Sequence, residues 1–426
     1  MSSFNAPADW NKLDNAAKIF PPTSNQRDTK VFRFACQLRE PVDRTLLQQA
    51  LDRTLPSFPL WRCVLKHGLF WYYLEESQLE AVVEEENAPA CGPLYDPNHR
   101  SLLFEVTYWD CRINLEVYHA LTDGTGALQF LRQLVSEYLQ LRHPESFPQP
   151  LSLHYDASTT QKAEDSFLKY YNPKGSAPSQ DASPKKVRAC QLRGPRVPEG
   201  RLRVIEGILP VKGALELAKK NDATLTVLLA SALVLALAQE LPVRALEKRP
   251  VTLTVPVNLR NYFASETARN FFGTIQVPVR VSRDQLTLEE IIPQVRQVFL
   301  EELTAQRLGR RMNALSRAEH NFAARAVPLV LKDCILRIAN WKDQGTITAS
   351  LSNIGRVQMP PEADPFIRRF DVFVSAPKLS VCVCSYGGEL TVSFTSAFRS
   401  TNVPMRFFRI LTGAGLPVEI QSNEID

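Results

Sequence analysis

The residue types best suited to proton-transfer chemistry meet at the end of a predicted strand, in the segment HALTDG. Residues 112–118 alternate in polarity, and His119 continues the apolar face of that strand towards the interior. The apolar face is formed by Ile113, Leu115 and Val117. The turn formers Asp123 and Gly124 follow directly, and a helix is predicted from about residue 126 to residue 141. Since an imidazole titrates near neutral pH, an inward His119 within reach of a substrate can act as a general base.

A histidine in this position also has a structural interpretation. Most buried polar groups are simply hydrogen-bonded, so His119 taken alone is compatible with a core histidine that does no chemistry. The full pattern HxxxDG favours the functional interpretation. From ordinary residue frequencies, an Asp-Gly pair at this offset from a histidine is expected by chance in roughly one chain in a hundred of this kind.

Composition narrows the class of protein. The chain has 426 residues, of which 44% are hydrophobic, and this is enough for two cores. The formal net charge of +5 comes without a basic stripe interleaved with aromatic residues, so no nucleic-acid partner is predicted. The N-terminal residues lack a cationic and then apolar signal pattern, and the eight cysteines are scattered. Both features favour reduced thiols and a cytoplasmic location.

Several other functions are disfavoured by missing patterns. The uncharged stretch 223–239 is shorter than the ~20 apolar residues of a membrane span, so a buried core helix is predicted there and no membrane span. The sequence has no P-loop, no G-x-G-x-x-G and no H-E-x-x-H, and no metal site is predicted. The absence of G-x-S-x-G argues against a serine nucleophile.

Strands and helices mix in both halves of the chain without regular alternation. This order favours an α+β fold over a doubly wound parallel sheet. Residues 172–200 change character, with five prolines among Gly, Ser, Lys and Arg. We therefore predict an N-terminal domain over 1–165 that carries HALTDG, a crossover over 166–200, and a C-terminal domain over 201–426.

HALTDG resembles the signature of the chloramphenicol acetyltransferase-like superfamily, which includes the condensation domains. Two later segments agree with this resemblance, PVNLR at 256–260 followed by NFFG at 270–273, and SNIG at 352–355. The resemblance implies two chloramphenicol acetyltransferase-like sandwich domains with an active-site channel between them. Tyr118 stands where condensation domains usually carry a second histidine, and the DFGWG motif of plant enzymes is absent. The chain is therefore most similar to stand-alone bacterial alcohol acetyltransferase-like proteins.

The resemblance implies a CoA-dependent O- or N-acyltransferase. In such an enzyme His119 removes a proton from a small alcohol or amine, which then attacks the acyl group, for example acetyl, of a CoA thioester. Acyl-CoA is a co-substrate, and no permanently bound cofactor is implied. Two alternatives stay open. One is a condensation or release enzyme whose donor is an acyl carrier protein, and the other is a non-catalytic member that binds an acylated ligand.

The same resemblance assigns supporting roles. It implies that Asp123 is buried, pairs with an arginine and fixes the turn that aims His119, with Arg260 as the candidate partner and an exposed Arg260 as the alternative. Gly124 permits close packing at the turn. Further supporting residues are Asn258, Asn270, Gly273, Ser352 and Asn353, among which Asn258, Asn270 and Ser352 either contact the oxyanion or channel or serve local structure. Arg310 and Arg311 either meet the CoA phosphates or form a solvated helix face.

Overall fold

The structure is a computed structural model that describes residues 10–153, 157–172, 187–282, 286–321 and 325–423, without the side chains of 318–320. Residues 173–186 of the predicted crossover lie outside the described residues. The described chain forms two large sheets, each covered by helices, and a small third sheet. This confirms the predicted α+β class.

The N-terminal sheet has five strands and carries His119 at the end of its central strand. Its strands are, in spatial order, Ile367–Val374, Val31–Leu38, Arg112–Tyr118, Phe104–Trp109 and Glu84–Glu85. All neighbours are antiparallel except the last pair. Helices Arg44–Thr54 and Gly124–Arg142 pack on each other and supply much of the adjoining core. Most of the apolar stripe of the second helix, including Phe130 and Tyr138, is buried, and Leu128 is half-buried.

The central strand is buried on both faces. Its odd-numbered side chains pack into the core, as the alternation predicts. Its even-numbered residues Asn114 and Glu116 are also buried, and Glu116 accepts a hydrogen bond from the Arg33 guanidinium at 2.6 Å. Glu116 is tolerated on the second face because it is paired there.

The C-terminal sheet has seven strands. In spatial order they are Phe272–Val279, Val251–Asn258, Ala349–Arg356, Leu379–Tyr386, Glu389–Ser396, Arg203–Pro210 and Glu419–Ser422. Ala349–Arg356 runs parallel to both of its neighbours, and the other pairs are antiparallel. Helix Leu225–Glu240 is buried on nearly every side and packs against Leu288–Glu302 and Asn402–Gly413. Such all-round apolarity is typical of a core helix.

The division of strands between the two large sheets does not follow the crossover in the chain. Strand Ile367–Val374 lies far beyond the crossover, yet it pairs with Val31–Leu38 in the N-terminal sheet. The N-terminal lobe, which comprises the five-stranded sheet and its helices, is therefore built from both halves of the sequence. The seven-stranded sheet and its helices form the C-terminal lobe, whose strands all lie beyond the crossover. The small third sheet contains Trp10–Lys12, Tyr72–Glu76 and Cys63–His67. The remaining helices are Phe20–Thr23, Thr159–Ala163, Ser166–Lys169, Val211–Lys220, Val243–Lys248, Ala305–His320 and Leu329–Gln344.

The described residues contain no group of side chains suited to a metal ion and no single helix suited to span a membrane. No group of three or more His, Cys, Asp or Glu side chains there could hold a metal ion. No single described helix has the length and apolarity to cross a membrane, although Val211–Lys220 and Leu225–Glu240, bent by 82° at their junction, pass together on length and composition.

Candidate active site

His119 lies immediately after the central strand, where the chain leaves the N-terminal sheet. Its backbone N–H donates to the carbonyl of Lys30 at 2.8 Å, so the neighbouring strand fixes the point at which the chain turns. The residues that contact its ring come from both halves of the chain. The imidazole therefore lies at the junction of the two lobes.

Asp123 begins the helix that follows His119. One of its carboxylate oxygens, Oδ1, accepts hydrogen bonds from the backbone N–H groups of Thr125 and Gly126, at 3.1 and 3.0 Å. These are N–H groups of the first helical turn, which have no partner within the helix. The side chain of Asp123 thus caps helix Gly124–Arg142 and fixes the short turn between strand and helix.

The other oxygen of Asp123 joins the turn to the C-terminal half. Oδ2 accepts from Arg260 Nη1 and from the backbone N–H of Phe271, each at 2.8 Å. The pair is buried, and the Arg260 guanidinium also donates to the carbonyls of Thr267 and Arg269. With four bonds to protein donors, the Asp123 carboxylate has no acceptor site left for a substrate. Its role is to hold the turn.

Asn270 selects the tautomer of His119. The Asn270 carbonyl oxygen lies 3.2 Å from His119 Nδ1, and its amide nitrogen donates to the His119 carbonyl at 3.1 Å and to the Asp14 carboxylate at 3.2 Å. Since the amide nitrogen faces two acceptors, the carbonyl oxygen must face the ring. An amide oxygen only accepts, so Nδ1 carries the hydrogen. The lone pair of Nε2 is then the one available to take a proton.

Asp14 is a member of this cluster that the sequence did not reveal. Its side chain is buried, accepts from the backbone N–H of Ala17 at 2.8 Å, and holds the amide of Asn270. Burial raises the pKa of Asp14 to about 6, against the opposing effect of the Arg269 guanidinium. No local pattern marks Asp14, because its partner is distant in the chain. The hydrogen-bonded series Asp14–Asn270–His119 can be recognised only in the three-dimensional structure.

Aromatic rings surround the imidazole. Phe20 stacks on it with ring centroids 4.5 Å apart and planes within 17°, and Phe32 and Phe272 approach at 4.9 and 5.4 Å. Burial lowers the pKa of His119 below its ordinary value of 6.5, while the Asp123 carboxylate and the Asn270 hydrogen bond act in the opposite direction. A lowered pKa keeps the imidazole neutral, and so able to accept a proton, at lower pH than an exposed histidine.

Close packing at the turn requires glycine more strictly at position 126 than at position 124. A Cβ on Gly124 would lie 3.2 Å from the end of the Ile354 side chain, which can adjust. A Cβ on Gly126 would lie 2.2 Å from the backbone oxygen of Ala268, which cannot. The backbone of Ala268 therefore packs against the turn at Gly126, two residues beyond the six-residue signature.

The other predicted supporting residues divide into two groups. Asn258 joins the site, because its amide donates to Thr125 Oγ1 at 3.2 Å and its oxygen accepts from Arg260 Nη1 at 3.2 Å. Asn353 instead donates to Thr226 Oγ1 at 2.8 Å. Ser352 and Gly273 occupy ladder positions of the C-terminal sheet, opposite Cys382 and Val257. These three residues have structural roles in and beside the C-terminal sheet, which faces the site.

Arg310 and Arg311 lie on helix Ala305–His320. Arg311 forms an ion pair with the buried carboxylate of Glu302, and Arg307 pairs with the same carboxylate at 2.7 Å. Arg310 is exposed on this helix. Arg311 is thus committed to an ion pair within the protein, and Arg310 is the more exposed of the two.

Solved structures share this architecture over almost the whole chain. The TRI3 trichothecene 15-O-acetyltransferase of Fusarium sporotrichioides matches with a TM-score of 0.61 at 13% identity, covering 96% of each chain. TRI101 of F. sporotrichioides, in complex with coenzyme A and T-2, matches with a TM-score of 0.62 at 13% identity, covering 96% of this chain and 100% of that one. The starter condensation domain of rhizomide synthetase RzmA, in complex with C8-CoA, matches with a TM-score of 0.63 at 12% identity, covering 95% and 93%.

The chain has the condensation-domain and acyltransferase fold. This confirms the fold resemblance indicated by HALTDG, although no protein-family model and no curated protein matches the sequence. In this acyltransferase fold the His119 cluster sits where the two lobes meet, and the near-complete coverage includes both of them. At 12–13% sequence identity, the shared structure establishes the fold alone and not the reaction.

For any reaction that uses His119 as its base, replacing Asn270 by alanine should lower the turnover number about a hundredfold, because small misplacements of a catalytic group have effects of this size. The change removes the acceptor that holds the hydrogen on Nδ1, so the imidazole loses its fixed tautomer and orientation. KM should change little, since Asn270 acts through His119. Steady-state kinetics test this, with Asn402→Ala, at an amide bonded to Glu240 on the surface, as the control. An unchanged turnover number would show that Asn270 does not position the imidazole.

Proposed function

We propose that the protein is an acyltransferase that moves an acyl group from a CoA thioester to an alcohol or amine, with His119 as the general base. The observation that carries the proposal is the contact between His119 Nδ1 and Asn270 Oδ1, which leaves Nε2 unprotonated at the junction of the lobes. An arrangement that served only packing would not need to select this tautomer. The fold, shared with an O-acetyltransferase and with structures that hold CoA or C8-CoA, supports the same chemistry.

The proposed reaction needs no covalent intermediate on the protein. Nε2 of His119 accepts the proton of the acceptor hydroxyl or amine as the acceptor atom attacks the thioester carbonyl carbon. The tetrahedral oxyanion then collapses and breaks the carbon–sulfur bond. The departing CoA thiolate takes the proton back from the His119 imidazolium, which yields the ester or amide, free CoA and the neutral base. Asp123 and Asn270 position the ring without touching the reacting atoms.

The aromatic rings around His119 suit the carbonyl end of a thioester. Phe20, Phe32 and Phe272 exclude water from one side of the imidazole, which limits hydrolysis of the donor. In the described arrangement Phe20 covers the ring directly, so a substrate must displace it or approach from the side. Phe20 belongs to the short helix Phe20–Thr23, whose shift would uncover the imidazole.

The cover formed by Phe20 also favours a second candidate, a non-catalytic protein that binds an acylated ligand. In that protein the intact HALTDG segment would be structural and the imidazole would stay stacked against Phe20. The two candidates differ in turnover, because only the acyltransferase releases a thiol from an acyl-CoA in the presence of an acceptor.

CoA should raise the melting temperature more than dephospho-CoA does. The 3′-phosphate end of CoA stays near the protein surface when the thioester reaches His119, and there an exposed arginine such as Arg310 can pair with it. Ligand at a hundredfold excess over its dissociation constant stabilises the folded state by ~2.7 kcal/mol, which thermal melting detects. Arg310→Ala should reduce the difference between the two ligands, whereas Arg244→Ala, on the exposed side of helix Val243–Lys248, should not.

Two results would overturn parts of this assignment. Equal increases in the melting temperature of the wild type with CoA and with dephospho-CoA would show that the protein does not contact the 3′-phosphate. No stabilisation by any CoA ester, together with turnover of an acylated carrier protein, would make the carrier protein the donor.

A further inference from the structure

Helix Leu329–Gln344 presents a continuous apolar face to solvent. At 100° per residue, six of its residues fall within an arc of about 140°. They are Val330, Leu331, Cys334, Ile335, Ile338 and Trp341, all exposed. The five large ones are between 55% and 73% exposed, whereas single exposed apolar residues are the ordinary case on a protein surface. The opposite side of the helix holds the half-buried positions, among them Asp333, which accepts a hydrogen bond from the Tyr72 hydroxyl at 2.7 Å.

A hairpin tip extends this apolar face. Leu69 and Trp71, in the turn between strands Cys63–His67 and Tyr72–Glu76, are also exposed. The turn adjoins the start of the helix, because Leu329 N–H donates to the Leu69 carbonyl at 2.9 Å and Lys332 Nζ donates to the Phe70 carbonyl at 2.9 Å. We call the hairpin tip and the exposed arc of the helix the docking face.

The segment that leads into and forms the docking-face helix has a positive net charge. Residues 325–344 contain four Lys and Arg and two Asp, a net charge of +2. The exposed arc itself contains no acidic residue, and Arg337 and Lys342 lie along it.

We propose that the docking face binds an anionic lipid surface. A helix with one apolar side, aromatic residues and flanking cations lies in the plane of a membrane interface, and each cation near an anionic surface adds to the attraction. Trp71 and Trp341 have the amphipathic rings that favour the headgroup level. A second copy of the chain fits the face less well, because two surfaces of the same charge repel.

The docking face is connected to His119 by one short helix. Arg337 Nε donates to the carbonyl of Pro22 at 2.8 Å, and Phe20, in the same helix Phe20–Thr23, stacks on the imidazole. A lipid surface on the docking face would therefore lie beside the element that covers His119. The binding itself does not depend on acyl transfer, so it can be tested whether or not the proposed activity is correct.

Cosedimentation with lipid vesicles tests the proposal on the full chain. The wild type should bind vesicles of equal parts phosphatidylcholine and phosphatidylserine, bind vesicles of phosphatidylcholine alone more weakly, and lose affinity as salt is raised. The double variant Ile335→Glu, Ile338→Glu should bind the anionic vesicles at least about tenfold more weakly, because it places two charges in the apolar arc. Both side chains are exposed, so melting temperatures should match the wild type.

The matched control is Leu300→Glu, a change at an exposed leucine on helix Leu288–Glu302 that should leave vesicle binding unaltered. Absence of vesicle binding by the wild type, or equal binding by wild type and double variant, would overturn the proposal. So would a wild-type dimer in sedimentation equilibrium that the double variant loses without any vesicle binding, since the occupant would then be a second copy. Binding of an acidic carrier protein, but not of vesicles, at the same residues would contradict it as well.

Discussion

Replacing His119 by alanine is expected to abolish acyl transfer and to leave the fold intact. The change removes the only ring whose lone pair is directed by Asn270, and a general base of this kind contributes typically ~10²–10⁴ to the rate. The aromatic residues around the ring and the Asp123–Arg260 pair stay in place. Initial rates of thiol release at saturating acyl-CoA and acceptor measure the effect.

His99→Ala is the matched control for this change, because His99 is an exposed histidine whose side chain is 79% accessible and pairs only with Asp96. It should retain wild-type rates. If His119→Ala turned over within about tenfold of the wild type, His119 would not be the base, because the loss would fall below the range expected for general base catalysis.

Asp123→Asn is expected to lower the free energy of unfolding by about 3–5 kcal/mol, the range for breaking a buried ion pair by removing one charge. The Asp123 carboxylate accepts from four donors, and an asparagine would turn one acceptor into a donor that faces them. Arg260 would keep its bonds to backbone carbonyls but lose the charge that compensates it. Because the same turn aims His119, the turnover number should fall too.

Urea denaturation of the variant and the wild type measures this change. Asp222→Asn makes the same substitution in an exposed pair with Arg296, and such surface pairs contribute about 0–1 kcal/mol. It should therefore be nearly neutral. An Asp123→Asn protein as stable as the wild type would show that the pair with Arg260 contributes little and that the turn is held in another way.

Local patterns were sufficient to predict the part of the site that is local in sequence. Alternation identified the strand Arg112–Tyr118, and the 3.6-residue period identified the helix that begins at Gly124, because both periods follow directly from backbone geometry. The placement of His119 between them needed no tertiary information. The partner of Asp123, Arg260, was reached through the resemblance of PVNLR, and nothing in the local pattern around either residue specifies the pair.

Most features that could not be predicted from the sequence depend on contacts between residues that are far apart in the chain. Asp14 and Asn270 meet only because the N-terminal segment folds against the second lobe. Strand Ile367–Val374 has the alternation of any strand, and its position beside Val31–Leu38 depends on how the sheets assemble.

Helix Leu329–Gln344 was not predicted, although its apolar residues recur at helical spacing and could have revealed it. The two helices before it, Leu288–Glu302 and Ala305–His320, meet at residues 303–304, where Thr304 caps the second helix.

Thiol release from a panel of acyl-CoAs, each offered with a panel of alcohols and amines, tests the proposed function most directly. The wild type should release free CoA only when an acceptor is present, with one ester or amide formed for each thiol, and His119→Ala should release none above background. Release of CoA at the same rate by both proteins would contradict the account. So would the absence of release with every acyl-CoA and acceptor offered to a folded wild type.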